Sequence, residues 1–185
     1  MNLSVVRNIP GGGNGSDEDF RQARSGASAT YTIFRYGAHF VHALPLDLQV
    51  RLLFNGQFTN DPLIPGEQFG LGGANSVRGF QEREVSDDIG NAGSIELYSP
   101  DIFNLLNIRN FRGRMLVFYD AGQVSRVSPL PGEESYTTIS GTGVGLRLGW
   151  GKNFNLTADY GYALGVEGSR AARNNRFHLT AVFSF

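Results

Sequence analysis

The chain has 185 residues, with 16 basic and 17 acidic side chains. This balance argues against a nucleic-acid-binding surface, which needs an excess of basic residues to displace counterions; the absence of cysteine excludes disulfides and thiolate metal sites. Glycine occurs 25 times, about twice its usual share, and no window approaches the ~18 consecutive apolar residues of a membrane-spanning helix. A helical membrane protein is therefore excluded.

Alternation of apolar with polar or small residues predicts eight strands. In the last of them, for example, Phe177 and Leu179 alternate with His178 and Thr180. Most of the runs have the length of about 9 to 11 residues that a tilted strand needs to cross an outer membrane. The predicted strands lie near residues 2–9, 29–41, 46–58, 92–98, 112–122, 138–150, 153–163 and 176–185.

The connections between these strands alternate broadly between long and short. Outer-membrane β-barrels show this alternation, because their periplasmic turns are short and their outer loops are long. A soluble β-sandwich is the alternative, but its solvent face would carry more charge than these glycine-rich faces. An antiparallel transmembrane β-barrel is the predicted fold. The connections span 10–28 (long), 43–45 (short), 59–91 (very long), 99–111 (medium), 124–137 (long), 151–153 (short) and 164–175 (long).

Residues 1–10 contain neither a basic segment followed by an apolar stretch nor a small-residue cleavage site. An outer-membrane protein needs an export signal. We therefore expect the natural N-terminus to lie upstream, which makes the chain a fragment or a truncated reading frame.

The very long connection 59–91 carries the most distinctive motif of the sequence. A connection of this length is usually functional or disordered, and its apolar and glycine content argues against disorder. It contains Gly72-Gly73 and then Val77, Arg78, Gly79 and Phe80; Glu96-Leu97-Tyr98, Phe118-Tyr119-Asp120-Ala121-Gly122 and a terminal Phe185 follow.

In this order and spacing, the motifs resemble the two-partner-secretion transporters, also called the haemolysin-activator or filamentous-haemagglutinin transporter family. The resemblance covers nearly the whole chain. It implies that residues 1–185 are the C-terminal half of a sixteen-stranded outer-membrane barrel, with about eight strands here. The N-terminal half of the barrel and the periplasmic POTRA domains would be absent, and the connection 59–91 would fold into the lumen.

The resemblance also implies the function: a pore that translocates a large exoprotein of the haemolysin or adhesin type to the cell surface. Its partners would be the exoprotein, outer-membrane lipid and, during biogenesis, the barrel-assembly machinery. A related barrel-assembly factor is the alternative, because it shares the motifs; two POTRA domains upstream would favour the transporter and five the assembly factor. A self-contained eight-stranded barrel is a third possibility, but its lumen would be too small for the long connection.

In this family an arginine of the long connection, here Arg78, is held by an acidic residue of the inner wall, here Asp120 in the motif Phe118, Asp120 and Gly122. Alternation agrees with this orientation, because Met115 and Tyr119 belong to the apolar face and Asp120 therefore points inward. The alternative is that Arg78 is solvated and Asp120 is a generic polar residue of the wall.

The C-terminal strand has a second interpretation. The resemblance implies that its alternating apolar residues are the signal read by the machinery that inserts barrels. Plain lipid-facing hydrophobicity is a compatible alternative. The residues concerned are Phe177, Leu179, Phe183 and Phe185.

Other site types are not supported, and we predict no enzyme activity, cofactor or metal. His39 and His42 would face opposite sides of a strand and could not share a metal ion. The segment 70–79 lacks the Gly-Lys-Ser/Thr of a phosphate-binding loop. The acidic run 17–19 lacks calcium-loop spacing, so we interpret it as a solvated outer loop.

Overall fold

The computed structural model describes residues 1–13, 15–167 and 175–185. Within these ranges eight long strands form one antiparallel sheet in the order β1-β2-β3-β6-β7-β8-β9-β10, and β4 and β5 pair with each other separately. The strands are β1 Asn2–Arg7, β2 Thr32–Ala43, β3 Gln49–Phe58, β4 Phe69–Leu71, β5 Val85–Asp87, β6 Ile89–Tyr98, β7 Phe111–Ser125, β8 Tyr136–Trp150, β9 Phe154–Glu167 and β10 Asn175–Phe183.

The prediction of an all-β antiparallel fold is confirmed, and each predicted run overlaps one strand of the sheet. The very long connection differs from the prediction in two details. Strand β6 begins at Ile89, so the connection spans 59–88 rather than 59–91. That connection also contains the β4–β5 pair, in which Phe69–Leu71 and Val85–Asp87 pair on either side of the Arg78 segment.

Helices are confined to connections. Helix α1, Asp17–Ala23, occupies the segment interpreted above as a solvated loop. It begins with a capping box, in which Ser16 and Asp19 satisfy each other's backbone nitrogens, and acidic residues suit the positive end of its dipole. Helix α2, Ile102–Leu105, begins at the N-cap Asp101, and a 3₁₀ turn covers Pro45–Asp47.

No helix within the described residues is both long and apolar enough to cross a membrane.

One face of the sheet, the apolar face, presents large apolar side chains to the surroundings. Because paired residues of neighbouring strands point to the same side, the pairs Tyr119–Ile95 and Ile95–Leu52 form one exposed apolar row across three strands. Soluble monomers rarely expose a contiguous apolar surface of this kind.

The opposite face, the covered face, carries the connection 59–88. Leu71, Val77 and Phe80 of this connection are fully buried against the sheet. Their partners in this core are Val85, Ala92, Val124, Ile139 and Ala163. Burying a side chain such as that of Phe80 contributes about 1.5–3 kcal/mol, so the connection is held as part of the core.

The sheet is open within the described residues. Strand β1 pairs with β2, strand β10 pairs with β9, and the outer edges of β1 and β10 do not pair with each other.

Candidate functional site

Arg78 lies in the connection 59–88 and is buried against the covered face, with 4% of its surface exposed. The chain turns immediately afterwards at Gly79, whose φ of 105° is in the region that favours glycine. The turn brings the arginine side chain down onto the sheet.

Asp120, on β7, is the principal partner of Arg78. Its Oδ2 accepts hydrogen bonds from the Arg78 backbone nitrogen at 3.0 Å and from Nε at 2.8 Å, and its Oδ1 accepts from Nη2 at 2.8 Å. The two side-chain bonds form the bidentate geometry that the planar guanidinium favours. Ser94 completes the arrangement: its hydroxyl donates to Asp120 Oδ1 at 2.6 Å and accepts from Arg78 Nη2 at 3.1 Å.

Two further carboxylates surround the same guanidinium. Glu96 on β6 accepts from Nη1 at 2.8 Å, and Asp159 on β9 lies 3.6 Å from the same nitrogen. Each also contacts a second arginine: Arg51 Nη1 lies 3.7 Å from Glu96 Oε2, and Arg147 Nη1 donates to Asp159 Oδ1 at 2.9 Å.

The resulting cluster contains three arginines and three carboxylates and is therefore neutral. A buried charge is costly unless it is paired and hydrogen-bonded, and this arrangement compensates each one. We call it the Arg78 cluster. Its charged members are Arg51, Arg78, Arg147, Glu96, Asp120 and Asp159.

The environment of Arg78 favours its charged form. Burial by itself would lower its pKa, but hydrogen bonding and attraction to Asp120, with the further attraction of Glu96 and Asp159, raise the pKa above its ordinary value. The guanidinium carbon also lies 3.5 Å from the centre of the Phe118 ring, whose face attracts cations.

Glycines of β8 and β9 let the backbone of the connection touch the sheet. A Cβ at Gly161 would lie 2.5 Å from the Gly79 nitrogen, and one at Gly79 would lie 2.9 Å from the Ala163 nitrogen. A Cβ at Gly141 would collide with the Arg78 carbonyl, and one at Gly143 would lie 2.5 Å from the Phe118 ring. Side chains at these positions would push Arg78 away from its carboxylates.

The remaining residues of the two motifs lie around this contact. Val77 and Phe80 are buried in the apolar core. Gly122 leaves room for Leu71, because a Cβ there would lie 2.6 Å from a Leu71 methyl group.

The side chains of the C-terminal residues make no hydrogen bond or ion pair with the Arg78 cluster within the described residues. Phe177, Leu179 and Phe183 are on β10, are paired with β9 only and are exposed. Phe185 follows the end of the strand and is also exposed.

Sequence analysis did not assign a role to Glu96, Ser94 or Asp159. Glu96 belongs to the motif Glu96-Leu97-Tyr98, and Asp159 alternates with the apolar residues Ala158 and Tyr160. Alternation places both on an inner face, but the strand register decides that Glu96 is opposite Phe118 and that Asp159 faces the Arg78 guanidinium.

A cavity of about 250 Å³ lies beside the cluster, and all three arginines of the cluster line it. Among the described residues, the buried Ser76 hydroxyl, Arg51 Nε and His178 Nε2 on its wall have no hydrogen-bond partner. The covered face thus encloses polar space beside the guanidinium.

Comparison with known proteins identifies the family. The sequence profile of the haemolysin secretion/activation proteins ShlB/FhaC/HecB matches residues 1–148. The chain belongs to this family. The resemblance to the two-partner-secretion transporter family that the motifs indicated is thereby confirmed.

A solved structure agrees with the assignment. CdiB from Acinetobacter baumannii superposes with a TM-score of 0.57 and 29% sequence identity, over 84% of this chain and 27% of that one. The chain therefore spans about a quarter of the length of that protein. No curated protein matches the chain significantly.

Proposed function

We propose that this chain forms the C-terminal half of a sixteen-stranded outer-membrane pore. The pore carries a large exoprotein of the haemolysin or adhesin type to the cell surface in two-partner secretion. Membership of the ShlB/FhaC/HecB family supports secretion over the barrel-assembly role that the motifs alone left open. The pore performs no chemistry and needs no cofactor.

The two faces of the sheet fit this role. In the closed barrel the apolar face contacts lipid, while the covered face lines the lumen. The free edges of β1 and β10 pair with the strands of the N-terminal half, because edges in a bilayer must be satisfied by hydrogen bonds.

The observation that carries the proposal is the Arg78 cluster. A connection whose arginine is buried among Asp120, Glu96 and Asp159 occupies the space through which an exoprotein would pass. The connection 59–88 acts as a plug or conformational lock, and the cluster fixes its position.

The C-terminal strand has its own proposed role. Its exposed apolar residues Phe177, Leu179, Phe183 and Phe185 form the signal by which the barrel-assembly machinery recognises the protein. The free edge of β10 supports this assignment, since an edge strand is available for pairing during insertion.

The lock is tested by Arg78→Ala in the full-length protein that contains this chain. The substitution leaves Asp120 buried without its cation, at a cost of about 3–5 kcal/mol to docking of the connection. We expect secretion of the exoprotein to fall, while the amount of inserted protein and its heat-modifiable migration stay unchanged.

Arg83→Ala is the matched control. Arg83 lies in the same connection, is exposed and donates to the carbonyls of Pro65 and Gln68. Normal secretion by Arg78→Ala, or an equal loss in both variants, would rule out the lock.

A further inference from the structure

The connection 99–110 presents an apolar segment at the end of the sheet with the short turns. Residues 102–108 read Ile-Phe-Asn-Leu-Leu-Asn-Ile and include no charged side chain. Leu105 and Leu106 expose 69% and 63% of their surface, and Ile108 is exposed as well. Three exposed apolar side chains on so short a surface segment indicate a contact with something other than water.

The segment is fixed to the sheet by Asp101. Its Oδ1 accepts hydrogen bonds from the backbone nitrogens of Phe103 at 3.0 Å, Asn104 at 3.3 Å and Gly113 at 3.1 Å. The last of these belongs to β7, so the start of α2 and the strand share one carboxylate.

Phe103 shows on which face the segment lies. A Cβ at Gly113 would lie 2.7 Å from the Phe103 ring, and Gly113 is on the same face of β7 as Phe111 and Met115, which belong to the apolar face. The Phe103 and Phe111 rings are 5.5 Å apart, and Phe111 stacks on Trp150 at 5.9 Å. The segment therefore continues the apolar face at its short-turn end, where membrane proteins place interfacial aromatic residues.

Basic residues border the segment. Arg109 and Arg112 are exposed, and no hydrogen bond or ion pair involves either side chain within the described residues. They line a cavity of about 750 Å³ together with Arg114, which is paired with Asp47 at 2.7 Å. The other polar residues that line this cavity are two carboxylates, Asp47 and Asp101, and three asparagines, Asn104, Asn107 and Asn110.

We propose that residues 102–108 form an interfacial anchor in the periplasmic leaflet, with Arg109 binding phospholipid headgroup phosphates. This inference rests on the proposed function, since it needs the apolar face to lie in the membrane. Apolar side chains bordered by cations are suited to the boundary between acyl chains and headgroups, and the arginine fork matches phosphate geometry. Continuity with the apolar face favours lipid over a periplasmic protein as the partner.

Depth-dependent quenching tests the anchor. The full-length protein, cleared of other cysteines, carries Leu106→Cys labelled with an environment-sensitive fluorophore in phosphatidylethanolamine–phosphatidylglycerol vesicles. We expect blue-shifted emission that brominated lipid quenches, as for a Met115→Cys probe on the apolar face. Leu130→Cys, an exposed leucine in the connection 126–135 at the other end of the sheet, should remain in water and unquenched.

The outcomes separate the two proposals. A quenched probe at 115 with a water-exposed probe at 106 overturns the anchor alone. A blue-shifted probe at 106 that brominated lipid does not quench means that protein covers the segment, and it also overturns the anchor. An unquenched probe at 115 overturns the barrel itself.

Lipid retention in detergent tests the arginines. Native mass spectrometry of the full-length protein with added phosphatidylglycerol should show about fivefold weaker binding for Arg109→Gln. Arg112→Gln, whose position in β7 belongs to the covered face, and Arg83→Gln, at the other end of the sheet, should bind as the unmodified protein does. Unchanged binding for Arg109→Gln, or complete displacement of the lipid by inorganic phosphate, would overturn headgroup recognition.

Discussion

At the scale of single residues, burial separates the Arg78 cluster from the other ion pairs of the chain. The exposed Arg21–Glu18 pair, at 3.4 Å, is of the kind worth about 0–1 kcal/mol. Arg78 and Asp120 are almost completely buried, so breaking their pair leaves a charge without solvent or partner. The cluster therefore fixes where the connection sits, more than it adds to net stability.

Glycine packing gives a prediction at the same scale. Gly161→Ala places a methyl group 2.5 Å from the Gly79 nitrogen, and overpacking of this kind costs about 1–3 kcal/mol. We expect the connection 59–88 to become sensitive to added protease and the thermal midpoint of the full-length protein to fall.

Gly93→Ala is the control for this measurement. Gly93 lies on the apolar face, and a Cβ there would be 3.7 Å from its nearest atom, an ordinary contact. Equal protease sensitivity in the two variants would show that the contact between Gly79 and Gly161 does not hold the connection in place.

At the scale of elements, the connection 59–88 is held at a second point where it meets β6. Asp88 is fully buried and accepts hydrogen bonds from the Leu63 and Val127 backbone nitrogens at 2.8 and 2.7 Å. Arg24 Nη2 donates to Asp88 Oδ2 at 2.7 Å, and Arg24 also binds the carbonyls of Leu63 and Val127. One carboxylate and one guanidinium thus join three connections, 8–31, 59–88 and 126–135.

Asp88→Asn should loosen this junction. The amide has no negative charge and can accept fewer of these bonds, and a hydrogen bond to a charged group is worth about 1.5–3 kcal/mol. We expect limited proteolysis of intact cells to cleave the connections 8–31 and 126–135 faster. Glu18→Gln, which removes only an exposed pair, should leave the cleavage rate unchanged; a similar rate in both variants would contradict a structural role for Asp88.

At the scale of the whole molecule, the sheet has one apolar face and two unpaired edges that are unfavourable in water. The apolar face exposes aromatic and aliphatic side chains, and β1 and β10 each leave one edge unpaired within the described residues. Unpaired edges pair readily with other chains, and a bilayer does not satisfy their hydrogen bonds.

The 185-residue chain, expressed by itself, should therefore aggregate or misfold. The measurement is size-exclusion chromatography in detergent, combined with electrophoresis of heated and unheated samples. A monodisperse, heat-modifiable monomer would contradict the need for a partner at both edges.

The sequence by itself determined the strands and their faces, because the two-residue period of side chains needs no knowledge of neighbours. It placed Asp120 on the inner face and Met115 and Tyr119 on the apolar face. It did not predict α1, although Ser16 followed by Asp19 is a capping pattern. The acidic run 17–19 was interpreted as a solvated loop because it lacks the ligand spacing of a calcium site.

Only the tertiary structure decided which inner-face residues surround Arg78. Strand register brings Ser94 and Glu96 of β6 beside Asp120. The glycines of β8 leave space between β7 and β9, so that the Arg78 side chain also reaches Asp159 on β9. Period alone tells which side a residue faces, but not its height on the sheet relative to other strands. Register comes from pairing between distant segments, so the full set of carboxylates around one arginine is a property of the folded sheet.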